Sequence, residues 1–138
     1  VNGLDLERTP GMNLEDVSFY SPGQTADKSG FSLDTLRYYE KIGLLGDIGR
    51  TSAGWRRFSD DDLAWLGVLR CLRETGMPIA EMLRYAELAR DGDETFPERI
   101  TLLEAHDQRV EEQIAGLRAQ QRHIQEKIRY YRDAVDEA

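Results

Sequence analysis

The densest chemistry in this 138-residue chain is a run of cationic side chains: Lys28, Arg37, Lys41, Arg50, Arg56 and Arg57. Only Asp34, Glu40 and Asp47 oppose them, so the window 28–57 carries a net charge of +3 in a chain whose total is −8. Such groups neutralise phosphate, and arginine adds a planar fork that can engage two acceptors at once. The overall acidity argues against indiscriminate binding to polyanions. One basic patch on an acidic chain points to a single, defined nucleic-acid face. The other reactive group is Cys71, the only cysteine. Arg70 and Arg73 flank it and favour its thiolate, while Glu74 works against it. A small, buried, inert residue is the competing reading. A single thiol excludes an intrachain disulfide and multi-thiolate zinc or copper sites, and His106 and His123 are too few and too far apart to build one. No metal or other cofactor is expected. Neither a nucleophile–base pair nor a glycine-rich phosphate loop is present, so no enzyme is expected.

The elements that would carry the basic window are legible from caps and turns. Ser21-Pro22 reads as an N-cap followed by proline at the first helical position, starting a short helix that runs to about Lys28. Gly30 supplies a turn, Ser32 caps a second helix over Leu33–Ile42, and Gly43 ends it. Leu33, Leu36, Tyr39 and Ile42 fall at helical spacing there. Two short helices joined by a tight turn are a helix-turn-helix. Gly46, Gly49 and Gly54, then Trp55-Arg56-Arg57-Phe58, predict a small hairpin, a wing. Ser59 opens a third helix whose first turn holds Asp60, Asp61 and Asp62, suited to the positive end of the helix dipole. Its apolar face is Leu63, Leu66, Val68, Leu69 and Leu72. Gly76 and Pro78 break it, and a fourth helix follows over Ile79–Arg90, with Asp91-Gly92-Asp93 as a loop.

The C-terminal segment is the most regular. Positions 100, 103, 107, 110, 114, 117, 121, 124, 128, 131 and 135 alternate in steps of three and four. Nine of these eleven are apolar or aromatic: Ile100, Leu103, Val110, Ile114, Leu117, Ile124, Ile128, Tyr131 and Val135. A sustained repeat of this kind is a coiled-coil seam. A helix of about 40 residues is ~60 Å long and cannot bury its stripe in so small a domain. A second copy of the chain is therefore the expected partner, with the seam residues Asp107 and Gln121 setting register. A helix folded back on its own domain is the alternative.

No apolar run approaches the roughly 20 residues that span a bilayer, and Val1–Asn13 lacks the pattern of a signal peptide. The expected location is the cytoplasm, without membrane contact. Residues 1–18 read as a flexible acidic extension, 19–76 as a winged helix-turn-helix DNA-binding domain, 77–95 as a connecting helix and loop, and 96–138 as a dimerisation helix.

The run Thr35-Leu36-Arg37-Tyr38-Tyr39-Glu40-Lys41-Ile42-Gly43-Leu44-Leu45, followed by Arg50-Thr51-Ser52-Ala53-Gly54-Trp55-Arg56-Arg57-Phe58-Ser59, resembles the second helix and wing of the MerR family of bacterial transcription regulators. The resemblance extends from about Tyr20 to the end of the chain. It implies a mainly α fold, a winged helix-turn-helix followed by a long helix that pairs as an antiparallel coiled coil in a homodimer. It also implies a dimer on promoter DNA that bends and untwists an overlong spacer for RNA polymerase, which is thus an indirect partner. Carried over by position, Arg37 and Tyr38 face the major groove and its flanking phosphates. Tyr39 falls equally well to phosphate or to the core. Arg50, Trp55, Arg56 and Arg57 reach the backbone or minor groove. Trp55 stands where the family usually has tyrosine, and Pro22 and Asp27 are unusual in the first helix. A single Cys71 is similar to the aldehyde- and electrophile-responsive (NmlR/AdhR-like) branch of the family and argues against metal sensing. An effector-independent DNA-binding regulator and a coiled-coil protein-interaction module remain as alternatives.

Overall fold

A computed structural model describes residues 18–138. The expected acidic extension therefore lies, but for Ser18, outside the described residues. The order is β1 (Phe19–Tyr20), α1 (Pro22–Ser29), α2 (Leu33–Ile42), β2 (Gly49–Arg50), β3 (Arg56–Ser59), α3 (Asp60–Glu74), α4 (Ile79–Arg90), a 3-10 turn (Asp93–Thr95) and α5 (Phe96–Asp136). The chain divides after Leu102 into two compact units, of which the first carries every element up to the first two turns of α5.

Local chemistry sets the helix ends. Ser21 accepts from the Gln24 amide while Gln24 reaches back to the Ser21 amide, a reciprocal cap that starts α1 with Pro22 in its first turn. Ser59 and Asp62 repeat that device at α3. Gly30 and Gly43 close α1 and α2 in the left-handed conformation, at φ 79° and 90°, which a residue with a Cβ adopts at a cost.

The wing is the hairpin of β2 and β3, with Gly49 opposite Arg57 and Arg50 opposite Arg56. Its turn is closed by the Thr51 amide donating to Trp55 O at 2.8 Å and the Gly54 amide donating to Thr51 O at 2.9 Å. The sequence pattern misses one strand. β1 pairs antiparallel with the other edge of β3, Tyr20 opposite Phe58, giving a three-stranded sheet in the order β1-β3-β2. Two residues are too few to show an alternation.

Phe58, Leu44, Leu66, Leu69 and Met82 are fully buried and form the centre of this unit, ringed by Phe31, Leu36, Trp65, Leu72, Met77 and Ala86. The apolar faces expected for α2 and α3 are thus largely correct, with two differences. Leu33 and Val68 lie exposed, as does Ile79 at the start of α4. In exchange, Trp65 is buried and stacks on Tyr85 of α4, centroids 5.4 Å apart and planes 11° apart.

The second unit is the remainder of α5. This helix has 41 residues, matching the expected length. Ile114, Leu117, Ile124, Ile128, Tyr131 and Val135 all lie exposed along it, Leu117 by 66% and Ile124 by 60%. No helix among the described residues is long and apolar enough to cross a membrane.

Candidate nucleic-acid interface

The basic window spans α2 and the wing, and the structure joins these two elements through one carboxylate. Glu40, on α2, accepts from Arg56 Nε at 2.6 Å and lies 3.7 Å from Arg50 Nη2. Its side chain is 23% exposed and that of Arg56 33%. Water is thus partly excluded from the pair, which strengthens it relative to an exposed ion pair. Glu40 was legible only as a charge opposing the basic patch. Its role as the bridge from helix to wing depends on a contact 16 residues away in sequence, which no local pattern reports.

Around this bridge a groove of about 330 Å³ opens between α1, α2 and the wing, lined by Pro22, Leu33, Arg37, Arg50, Trp55 and Arg56 among others. Four of the seven residues expected to meet DNA are therefore brought to one surface. Arg37 pairs with Asp34 one turn away at 3.2 Å, both side chains well exposed. Such a pair contributes about 0–1 kcal/mol and yields readily to a stronger acceptor. Tyr38 is exposed beside it. Trp55, at the wing turn, is 72% exposed, a large apolar surface on a polar hairpin. Arg50 Nη1 also donates to Gly54 O at 3.3 Å, bracing that turn.

Of the three outside the groove, Tyr38 is the exposed one, and Arg57 and Tyr39 are engaged within the protein. Arg57 lies with its guanidinium 4.0 Å from the ring centroid of Phe19, a cation–π contact that ties the wing to β1. Tyr39 is 4% exposed and meets Phe31 edge-on at 5.3 Å. Of its two expected roles, the core occupies the ring. Arg56 is held by Glu40, so its first duty is to fix the wing.

β1 is fastened at its far end too. Tyr20 Oη donates to Asp60 Oδ1 at 2.7 Å, and that hydrogen bond, helped by partial desolvation and the Asp60 charge, raises the phenol above its ordinary value. The Asp62 carboxyl is also raised, chiefly by burial, although the Ser59 amide and hydroxyl work in the opposite direction.

Cys71 is exposed on α3. Its neighbours are engaged elsewhere. Arg70 bonds Glu74 at 2.7 Å and Ser29 O at 3.1 Å, and Arg73 lies over the Phe31 ring. Among the described residues no cluster of His, Cys, Asp or Glu could hold a metal ion.

Comparison with known proteins places this geometry. The family model described as MerR HTH family regulatory protein matches residues 20–88, and that described as MerR, DNA binding matches residues 63–127. An HTH-type transcriptional regulator of Haemophilus influenzae is 42% identical over 115 residues, covering 83% of this chain and 85% of that one. The HTH-type transcriptional regulator AdhR of Bacillus subtilis is 33% identical over 87 residues, 63% of this chain and 62% of its own. Among solved structures, HiNmlR, a MerR family regulator lacking the sensor domain and bound to promoter DNA, superposes with a TM-score of 0.76 at 41% identity, over 85% of this chain and 93% of that one. A MerR family regulator from Bacillus thuringiensis gives 0.72 at 31% identity, over 80% and 97%. The matched ranges take in the helix-turn-helix, the wing and most of α5, and the chain belongs to the MerR HTH family as a DNA-binding transcriptional regulator.

Proposed function

We propose that the protein works as a homodimer that reads a two-fold promoter site with α2 and the wing and distorts the DNA between its half-sites. The groove that gathers Arg37, Arg50, Trp55 and Arg56 beside the bridged wing carries this reading. Arg37 and Tyr38 supply contacts in the major groove, and Arg50, Trp55 and Arg57 contact the backbone or minor groove. The bend costs a few kcal/mol, offset by contacts from two wings and two helices. RNA polymerase then meets realigned promoter elements. The division of labour is DNA reading by 19–76, connection by 77–95 and pairing by 96–138.

Pairing is supported by the exposed stripe of α5. Leucine or isoleucine left in water forgoes about 1.5–3 kcal/mol per side chain, and Ile100, Leu103, Val110, Ile114, Leu117, Ile124, Ile128 and Tyr131 repeat at coiled-coil spacing. Replacing Ile124 by Glu tests it. Sedimentation should show a monomer, and binding to a palindromic duplex enriched from a random-sequence pool should fall at least 100-fold. A dimer of unchanged strength would reject the seam.

Exposure of Cys71 favours a reactive role over a packed one. Its sulfur would add to an aldehyde carbonyl, the thiol proton passing to the new hydroxyl. Cys71→Ser is expected to abolish aldehyde-induced transcription of the target. Full induction in that variant would dismiss the thiol as the sensor.

A further inference from the structure

We infer that Trp65 and Arg90 are positioning residues for DNA reading: from α3 and α4 they grip the two backbone carbonyls at the junction of α2 and the wing, so that the placement of α4 sets the aim of both elements. This rests on the proposal that α2 and the wing meet DNA.

A helix ends with carbonyls that have no partner within it. At the end of α2 the amides of Leu44 and Leu45 both turn back to Tyr39 O, at 2.9 and 3.2 Å. The chain then leaves for the wing, and the carbonyls of Gly43 and Leu44 must be met by other elements. Arg90, the last residue of α4, donates from Nη2 to Gly43 O across 47 positions. Trp65 Nε1 donates to Leu44 O at 2.7 Å. The Leu44 and Leu45 side chains beside these carbonyls are buried, so the junction has little freedom except through its two grips.

Both grips lead to α4. Arg90 belongs to it, and Trp65 is held flat against its Tyr85. α4 is fixed in turn from the first turns of α5. Arg99, 6% exposed, donates from Nε to Thr95 Oγ1 at 2.9 Å and from Nη2 to Gly92 O at 2.5 Å, while Thr95 Oγ1 donates to Leu88 O at 2.6 Å. Burial pushes the Tyr85 phenol above its ordinary value, and the Arg99 charge opposes that rise. Hydrogen bonds and one ring contact therefore tie the root of α5 to α4, and α4 to the carbonyls between α2 and the wing, all within the first compact unit.

The discriminating variants are Arg90→Met, which keeps the aliphatic stem, Arg90→Lys, which keeps a cationic donor, and Trp65→Phe, which keeps a stacking ring but removes the donor. They are compared as full chains with wild type and Arg37→Ala. The probes are an end-labelled duplex enriched from a random-sequence pool by the wild-type protein, and an unselected duplex of equal length. Thermal melting, affinity for each duplex and the end-to-end distance of the bound probe are measured. Arg90→Met and Trp65→Phe are expected to bind the unselected duplex within about twofold of wild type. They should bind the selected one about tenfold more weakly, with a smaller bend, and Arg90→Lys should recover most of the loss. Unchanged affinity and bend in both variants, with Arg37→Ala impaired, would overturn the positioning role alone. A parallel fall in melting temperature and in binding to both duplexes, not recovered by lysine, would show a purely structural role and overturn it too. Should Trp65→Phe unfold, the exposed Arg90 decides by itself. Selected binding untouched by Arg37→Ala would instead reject the underlying assignment of α2 to DNA.

Discussion

Replacing Glu40 with Gln isolates the bridge between α2 and the wing. The amide keeps the shape and one acceptor oxygen but removes the charge facing Arg56 at 2.6 Å and Arg50 at 3.7 Å. A hydrogen bond to a charged group contributes about 1.5–3 kcal/mol when shielded from water. The Arg56 pair is roughly one-quarter to one-third exposed, so the lower half of that range applies. Arg50 is half-exposed and adds only a few tenths of a kcal/mol. The expected loss is about 1–2 kcal/mol, a fall of about 3–8 °C in Tm for a chain of this size. Binding should change in the opposite sense for unselected DNA. Two arginines are released and one negative charge is removed near phosphate, so affinity for random duplex rises, while discrimination for a selected site falls because the wing is no longer fixed to α2. The assay is thermal melting plus salt-dependent anisotropy on both duplexes, with the double variant Glu40→Gln/Arg56→Gln closing the cycle at a coupling of about 1 kcal/mol. Additive costs and an unchanged ratio between the two duplexes would refute the bridge.

Two further outcomes follow from the same geometry. Arg57→Ala should weaken binding to every sequence alike and lower the slope of log affinity against log salt by about one per chain; a selective loss at one base pair would contradict a backbone role. Asp62 gives a pH test with an unusual sign for a carboxylate. Its folded pKa is raised, mainly by burial, so folding prefers the protonated acid, and that contribution is fully present below the unfolded value of about 3.9 and lost as pH rises through the folded one. Wild type should therefore gain stability relative to Asp62→Asn as pH is lowered from 7 to 4, read as the difference in Tm; a difference that shrinks on acidification would reverse the assignment.

Much of this molecule was legible because its punctuation is local. Ser21-Pro22, Ser32, Gly43 and Ser59 act within one turn of where they stand, so α1, α2 and α3 begin and end within a residue of expectation. The three-four repeat on α5 is equally local. The +3 window singled out α2 and the wing because net charge needs no coordinates. What the tertiary structure alone decided are contacts between residues far apart in the chain. Tyr39 and Trp55 are both aromatic and both lie in the family motif, yet one is buried on Phe31 and the other stands in water, a difference made by the packing of whole elements. β1 exists because β3 offers it an edge. In sequence Glu40 is an opposing charge, Trp65 falls outside the apolar face expected for α3, and Arg90 is the last residue of a helix. Only across 16, 21 and 47 positions do they become the groups that hold α2, the wing and the junction between them together, because a hydrogen bond depends on distance in space and is blind to distance along the chain.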